Sequence, residues 1–129
     1  MAVPVLIVED DGIIALHLKE ILTGAGFVVL DPVASGEEAI AVIAAGHPGL
    51  VLMDINLMGE MDGIDTALEI RRQSRIPIIF LSAYSEEQQK ERARSAGPVG
   101  YILKPFIDDE LVKMVAATLL SGLFEDRRP

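Results

Sequence analysis

The 129-residue chain predicts an α/β domain, a doubly wound, five-stranded parallel sheet in the order 2-1-3-4-5, with helices on both faces in a (βα)5 three-layer sandwich. Three observations predict it. Five short apolar runs recur along the chain, each near-continuous in hydrophobicity, as strands covered on both faces are. Helix-period segments separate the runs, so the chain reads βαβαβαβαβα, which right-handed crossovers wind into a parallel sheet. Half of the residues are hydrophobic and only 5% aromatic, which suits a core of Val, Ile, Leu and Ala.

The first run, Val3 to Val8, leads into a helix over Gly12 to Thr23 that Gly24 and Gly26 stop. The second, Phe27 to Val33, is interrupted by Asp31-Pro32. Proline belongs at a sheet edge, which places this strand outermost and gives the order above. Ser35 followed by Glu38 makes a capping box for a helix over Gly36 to Ala45. The third run, Leu50 to Met53, ends directly on Asp54 and is followed by a helix over Gly63 to Arg72. The fourth, Pro77 to Ser82, precedes a helix over Glu86 to Ala96, stopped by Ala96-Gly97-Pro98. The fifth, Val99 to Leu103, is followed by a last helix from Asp108 to about Phe124. There is no repeat, low-complexity tract or linker, so a single domain over 1–129 without an output domain is expected. The final LFEDRRP reads as a frayed helix end, in keeping with a stand-alone regulator.

Twenty acids against eleven bases give a formal charge of −9, which repels a nucleic-acid backbone and argues against direct nucleic-acid partners. The absence of cysteine removes disulfides, thiolate nucleophiles and Cys-based zinc sites, and is compatible with a reducing cytoplasm. No apolar stretch approaches a membrane span. The opening MAVPVLIVEDD has no basic n-region and reads as a strand instead of a signal peptide. The expected location is therefore cytoplasmic, with no membrane partner.

In such a sheet, ligands sit beyond the carboxyl ends of the strands, where strand order reverses. Glu9, Asp10 and Asp11 follow the first run, Asp54 the third, Ser82 the fourth and Lys104-Pro105 the fifth. Two carboxylates about 4 Å apart repel by roughly 4 kcal/mol at an effective dielectric near 20. One lysine offers a single charge, whereas a hard divalent cation relieves the whole cluster. A site of few carboxylates that retains waters suits Mg2+. Asp54 would then be both ligand and nucleophile toward a phosphoryl group, with Lys104 and Ser82 neutralising its oxygens.

The ordered set VED, the D of VLMD, the S of FLSA and the K-P of YILKPF resembles the receiver domain of two-component response regulators, in a chemotaxis-receiver-like form, over essentially the whole chain. The separations of 44, 28 and 22 residues among Asp10, Asp54, Ser82 and Lys104 are similar to those of receivers. The resemblance implies a flavodoxin-like fold and a bacterial phosphorelay switch, with Asp54 taking phosphate from a histidine kinase or phosphotransfer protein and signalling to a downstream protein. It also implies Mg2+ held by Asp10, by Glu9 through water, by Asp54 and by the backbone carbonyl of Asn56. Ser82 would bond a phosphate oxygen and Lys104 would pair with another, while Tyr101, three residues before the lysine, swings inward as Ser82 moves. Pro105 stands where family members often have a cis peptide bond. Asn56 would bear on the phosphate lifetime, and Tyr84, a departure from the family in being bulky at a position that often faces the phosphate, is expected to lengthen it by screening water. The chain departs from the family in a loop, Leu57 to Gly63, that is one residue longer and lacks the usual proline, and in Ser82 where threonine is more frequent.

Plainer roles exist for each residue alone. Acids after the first strand cap a helix, as Asp11 is expected to do. A strand-end lysine is commonly solvated, and a serine there is commonly a turn hydroxyl. His17 and His47 lack a neighbouring histidine and make poor metal ligands, and the GAG at 24 to 26 follows a helix where a dinucleotide fingerprint needs a strand. Two further functions compete with the switch. One is a Mg2+-dependent phosphohydrolase with Asp54 as nucleophile, disfavoured because Asn56 stands where such enzymes need a second acid. The other is a receiver-like module that never takes phosphate. On the first helix, Ile14, Leu18, Ile21, Leu22 and Ala25 form the core stripe and leave Ile13 and Leu16 outward. On the last, Leu111, Val115 and Leu119 form the core stripe, and Ala117, Leu120 and Phe124 line a second face. With Tyr101, these two faces are the expected partner surface: the first helix for a kinase, the last for a homodimer.

Overall fold

The computed structural model describes residues 3–46, 48–83 and 89–125, the last four of these by backbone alone. Four strands form one parallel sheet in the order β1-β2-β3-β4: β1 Val5–Val8, β2 Leu50–Asp54, β3 Ile78–Ser82 and β4 Gly100–Leu103. Among them run helices α1 Gly12–Gly24, α2 Gly36–Ala44, α3 Gly63–Arg71, α4 Lys90–Arg94 and α5 Asp108–Glu125.

Side-chain alternation explains why the strands look uniformly apolar. Leu6, Val8, Val51, Met53, Ile78 and Phe80 face one side, where they meet Ala39 and Ile43 of α2, Ile64, Ala67 and Ile70 of α3, and Ala93 of α4. Val5, Ile7, Leu50, Leu52, Ile79, Leu81 and Ile102 face the other, against Ala15, Leu18 and Leu22 of α1 and Leu111 and Val115 of α5. With two apolar layers to satisfy, no position on β1, β2 or β3 can be polar until the strand leaves the sandwich.

The run Phe27 to Val33 lies at the edge beside β1, as expected, but it is not a regular strand. It makes two isolated parallel bridges, Val5 to Val29 and Val8 to Val33. The four residues of β1 from Val5 to Val8 are thus matched by five of the edge segment, Val29 to Val33. An even ladder would have residue 32 donate to the Ile7 carbonyl. Pro32 has no N–H, and Val33 donates there instead at 2.9 Å, extruding one residue as a bulge. The fourth helix is also shorter than expected. It ends at Arg94 because the Gly97 N–H turns back to the Arg94 carbonyl with Gly97 at φ +61°. The expected residues Glu86 to Gln88 lie outside the described part of the chain.

Caps set the other boundaries. Asp11 accepts from the N–H groups of Ile13 and Ile14 at 2.9 and 3.2 Å, as the sequence suggested. Ser35 accepts from Glu38 N–H, but the Glu38 carboxylate returns to the Ala34 N–H and the Ser35 hydroxyl, a variant of the expected box. The reciprocal box belongs to α3, between Asp62 and Asp65.

Two arginines join loops that are distant in sequence. Arg71 donates to the carbonyls of Ala96, Ile76, Ser74 and Gly97 at 2.8, 2.7, 3.3 and 3.4 Å, so one guanidinium serves the turns that lead into β3 and into β4. Arg92 of α4 binds both members of the α3 box, Asp62 at 3.1 and 3.3 Å and Asp65 at 2.6 Å.

Arg71→Lys keeps the charge but cannot span four carbonyls, and should cost about 1–3 kcal/mol in urea unfolding. Asp62 has its own pH signature: burial opposes its ionisation, but hydrogen bonds from Arg92 and the Asp65 N–H outweigh that and hold it below its ordinary 3.8. A depressed carboxylate contributes stability above its unfolded value and loses it as pH falls through the folded one. The stability difference between wild type and Arg92→Ala should therefore be constant above about pH 5 and shrink below 3.8, read from denaturation midpoints at a series of pH values.

Candidate functional site

Parallel register brings the strand ends to one rim. Val8 is level with Met53, Asp54 with Leu81 and Ser82 with Leu103, and the Lys104 N–H donates to the Ser82 carbonyl at 2.7 Å. Glu9, Asp54 and Ser82 are all buried, at 3%, 3% and 1% exposure, so these polar groups close the end of the core.

Lys104 Nζ lies 3.1 Å from Glu9 Oε1 and 3.2 Å from Asp54 Oδ1. The Asn56 N–H also donates to Asp54 Oδ1 at 3.2 Å, and the Asp11 N–H to Glu9 Oε2 at 3.1 Å. These donors do not balance the cluster. Burial above all, and then the charge of Asp54, push the Glu9 carboxyl up to about 7 from its ordinary 4.5. Burial works against the charge of Lys104, but Asp54 and Glu9 overcome it and raise its pKa above 10.5. Glu9, Asp10 and Asp54 each present an oxygen within 4.8 Å of the others. An all-oxygen donor set with a surplus of negative charge fits a hard divalent cation of the Mg2+ class.

Of the expected site residues, the structure brings together Glu9, Asp10, Asp54 and Lys104, with Ser82 on the same rim. The Ser82 Oγ is buried and has no hydrogen-bond partner among the described residues. A buried hydroxyl without a partner costs about 1–3 kcal/mol, and an arriving anionic oxygen would satisfy it. Tyr101 is stacked on Phe80 at 6.0 Å, with Lys90 Nζ 5.9 Å from its ring centre, and its buried hydroxyl has no hydrogen-bond partner among the described residues. Asn56 is exposed and contributes its backbone beside Asp54. The Lys104–Pro105 peptide is cis. Tyr84 lies outside the described residues, as do His47 and the side chain of Phe124. His17 stacks on Phe106 at 5.7 Å and comes within 4.0 Å of Asp108.

Sequence reasoning left open the route of the loop after Asp54. Leu57 tucks into the core, and the Met58 N–H donates to Asp10 Oδ2 at 2.9 Å, so the loop folds back onto the first acidic strand end. A backbone donor carries no residue-type signal, which is why this contact was invisible. The glycine opening α3 was also overlooked. A Cβ on Gly63 would overlap the Asp54 carbonyl oxygen, and the Gly63 N–H donates to the Ile55 carbonyl at 2.8 Å. Its place one helix-start after the acidic loop was the available clue.

The outward faces of α1 and α5 are exposed as expected: Ile13 at 83%, Leu16 at 56% and Leu120 at 57%, with Ala117 exposed as well. Ala25 is exposed too and leaves the predicted core stripe of α1.

The fold is thus an α/β domain whose parallel sheet gathers acids, a hydroxyl and a lysine on its carboxyl rim. The response regulator receiver domain family matches residues 5–116, and the chain belongs to that family. It is 39% identical over 116 residues to the transcriptional regulatory protein PdtaR of Mycobacterium tuberculosis, covering 88% of this chain and 56% of that one. It is 40% identical over 119 residues to the transcriptional regulatory protein YrkP of Bacillus subtilis, covering 92% and 50%. The chain thus spans about half the length of these curated relatives. A crystal structure of a response regulator from Chloroflexus aurantiacus superposes with a TM-score of 0.83 at 35% identity, covering 93% of this chain and 99% of that one. The signal receiver domain of a diguanylate cyclase from Desulfovibrio desulfuricans gives 0.88 at 32%, covering 97% and 99%. Among the described residues no helix is long and apolar enough to cross a membrane.

If the rim is held under charge repulsion, Asp54→Asn should melt higher than wild type in metal-free buffer at pH 8. Saturating Mg2+ should erase that advantage by stabilising the wild type, by about 2.7 kcal/mol at a hundredfold excess over its dissociation constant. Differential scanning calorimetry with and without Mg2+ measures both.

Proposed function

We propose that Asp54 accepts a phosphoryl group from a phosphohistidine, making the domain a phosphorylation-controlled switch for a protein partner. One observation carries the reading: Asp54 and Ser82 are buried side chains at the carboxyl ends of adjacent strands, and the Ser82 hydroxyl on that rim has no hydrogen-bond partner among the described residues.

An Asp54 carboxylate oxygen attacks phosphorus, the bond to the donor imidazole nitrogen breaks, and that nitrogen keeps the electron pair. An acyl phosphate results. Lys104 already holds Asp54 Oδ1, and pairs with a phosphoryl oxygen once Asp54 is phosphorylated. Ser82 donates to a second phosphoryl oxygen, which supplies the partner that its hydroxyl lacks. Glu9, Asp10, Asp54 and the Asn56 carbonyl would hold Mg2+, which neutralises charge on the transferring group. Tyr101 beside Phe80 carries the change outward as Ser82 is drawn to the phosphate. A phosphohydrolase acting on small substrates is less well supported, because Asn56 cannot serve as acid and base. The exposed faces at Ile13 and Leu16 and at Ala117 and Leu120 suit a kinase and a second copy of the chain. A cytoplasmic setting fits the absence of cysteine.

Incubation with acetyl phosphate and Mg2+, followed by intact mass and peptide mapping, should give one phosphoryl adduct on Asp54. No adduct on the wild type, or an adduct that persists in Asp54→Asn, would refute the proposal.

A further inference from the structure

We infer that Arg92 is a positioning residue for the phosphoacceptor site: by gripping the α3 cap it fixes the backbone around Asp54. The inference rests on the reading of Asp54 given above and extends it to a residue on another helix.

Asp62 Oδ1 accepts from the Asp65 N–H at 2.8 Å, and Asp65 Oδ2 faces the Asp62 N–H at 3.4 Å. Two acids so close at one helix start favour the helix dipole but repel one another. Arg92 answers both, with Nη1 on Asp62 Oδ2 and Nη2 on Asp62 Oδ1 and Asp65 Oδ1. The planar fork fits this arrangement in a way that a lysine ammonium does not.

From the cap the path to the site is short and stiff. Gly63, the next residue, bonds the Ile55 carbonyl and leaves no room for a Cβ against the Asp54 carbonyl. The start of α3 therefore cannot shift without moving the Asp54–Ile55 peptide. Arg92 belongs to α4, the helix that follows Ser82, so one guanidinium ties the phosphoacceptor's loop to the helix beyond the hydroxyl residue. The Arg92 and Asp65 side chains are each 45% exposed and that of Asp62 26%, and ion pairs so open to solvent add no more than about 1 kcal/mol each. The contact thus has more leverage on the site's geometry than on the fold.

The full chain separates these effects. Arg92→Ala and Arg92→Lys are compared with Arg94→Ala, which breaks the exposed Glu91 pair on the same helix, and with Arg71→Lys, which loosens the turns leading into β3 and β4. The readouts are the Mg2+ dissociation constant by calorimetry, hydrogen exchange at residues 55–58, and the phosphorylation rate with acetyl phosphate. Arg92→Ala should weaken Mg2+ binding and slow phosphorylation roughly fivefold to tenfold, with faster exchange at 55–58 at a temperature where the protein is fully folded. Arg92→Lys should fall between it and wild type. Arg94→Ala and Arg71→Lys should leave Mg2+ binding unchanged, although the latter lowers stability. Wild-type behaviour of Arg92→Ala, or an equal loss in Arg71→Lys, would overturn the inference. Should Arg92→Ala fail to fold, Arg92→Lys decides by the same measures. If wild type takes no phosphoryl group, the phosphoacceptor reading falls while Mg2+ binding and exchange still judge Arg92.

Discussion

The structure depends on a charge imbalance at the end of its core. One ammonium, Lys104, lies against two buried carboxylates, Glu9 and Asp54, with Asp10 close by. Replacing the acids with apolar residues would stabilise the sheet, since buried ion pairs rarely improve on good packing. Their retention makes sense if the site is finished by a cation and an anion from outside. The fold is thus a rigid holder for unsatisfied groups, and its two aliphatic layers supply the stability that the rim gives up.

Much of this was legible in the sequence because the strands are short and sharply ended. The apolar runs fixed the sheet, and the first polar residue after each run marked the rim, so Glu9, Asp54, Ser82 and Lys104 could be found without coordinates. Contacts made by the backbone were not legible. The Met58 N–H on Asp10 and the Gly63 approach to Asp54 depend on the path of a loop, which residue types hardly constrain. Arg71 and Arg92 were overlooked for a related reason. Each acts across about 20 to 30 residues of sequence, and an arginine on an amphipathic helix reads as a solvated charge until its partners are seen.

The edge segment shows how one residue can override a pattern. Phe27 to Val33 has the composition of a strand, and hydropathy placed it correctly beside β1. Pro32 then withdrew a donor that the ladder needed, and the backbone answered with an extra residue. Composition set the neighbour, while the missing N–H set the geometry.

That bulge also concerns molecules other than this one. An open sheet edge is a template on which a foreign strand can pair, and regular edges invite aggregation. Here the outermost segment offers only two bridged positions, with a proline between them and an Asp31 side chain that is 98% exposed and held by Lys19. A strand approaching from solvent would find its register broken after a few residues and a charge in its way. The irregularity that weakens the sheet's border also makes it a poor template for a foreign strand.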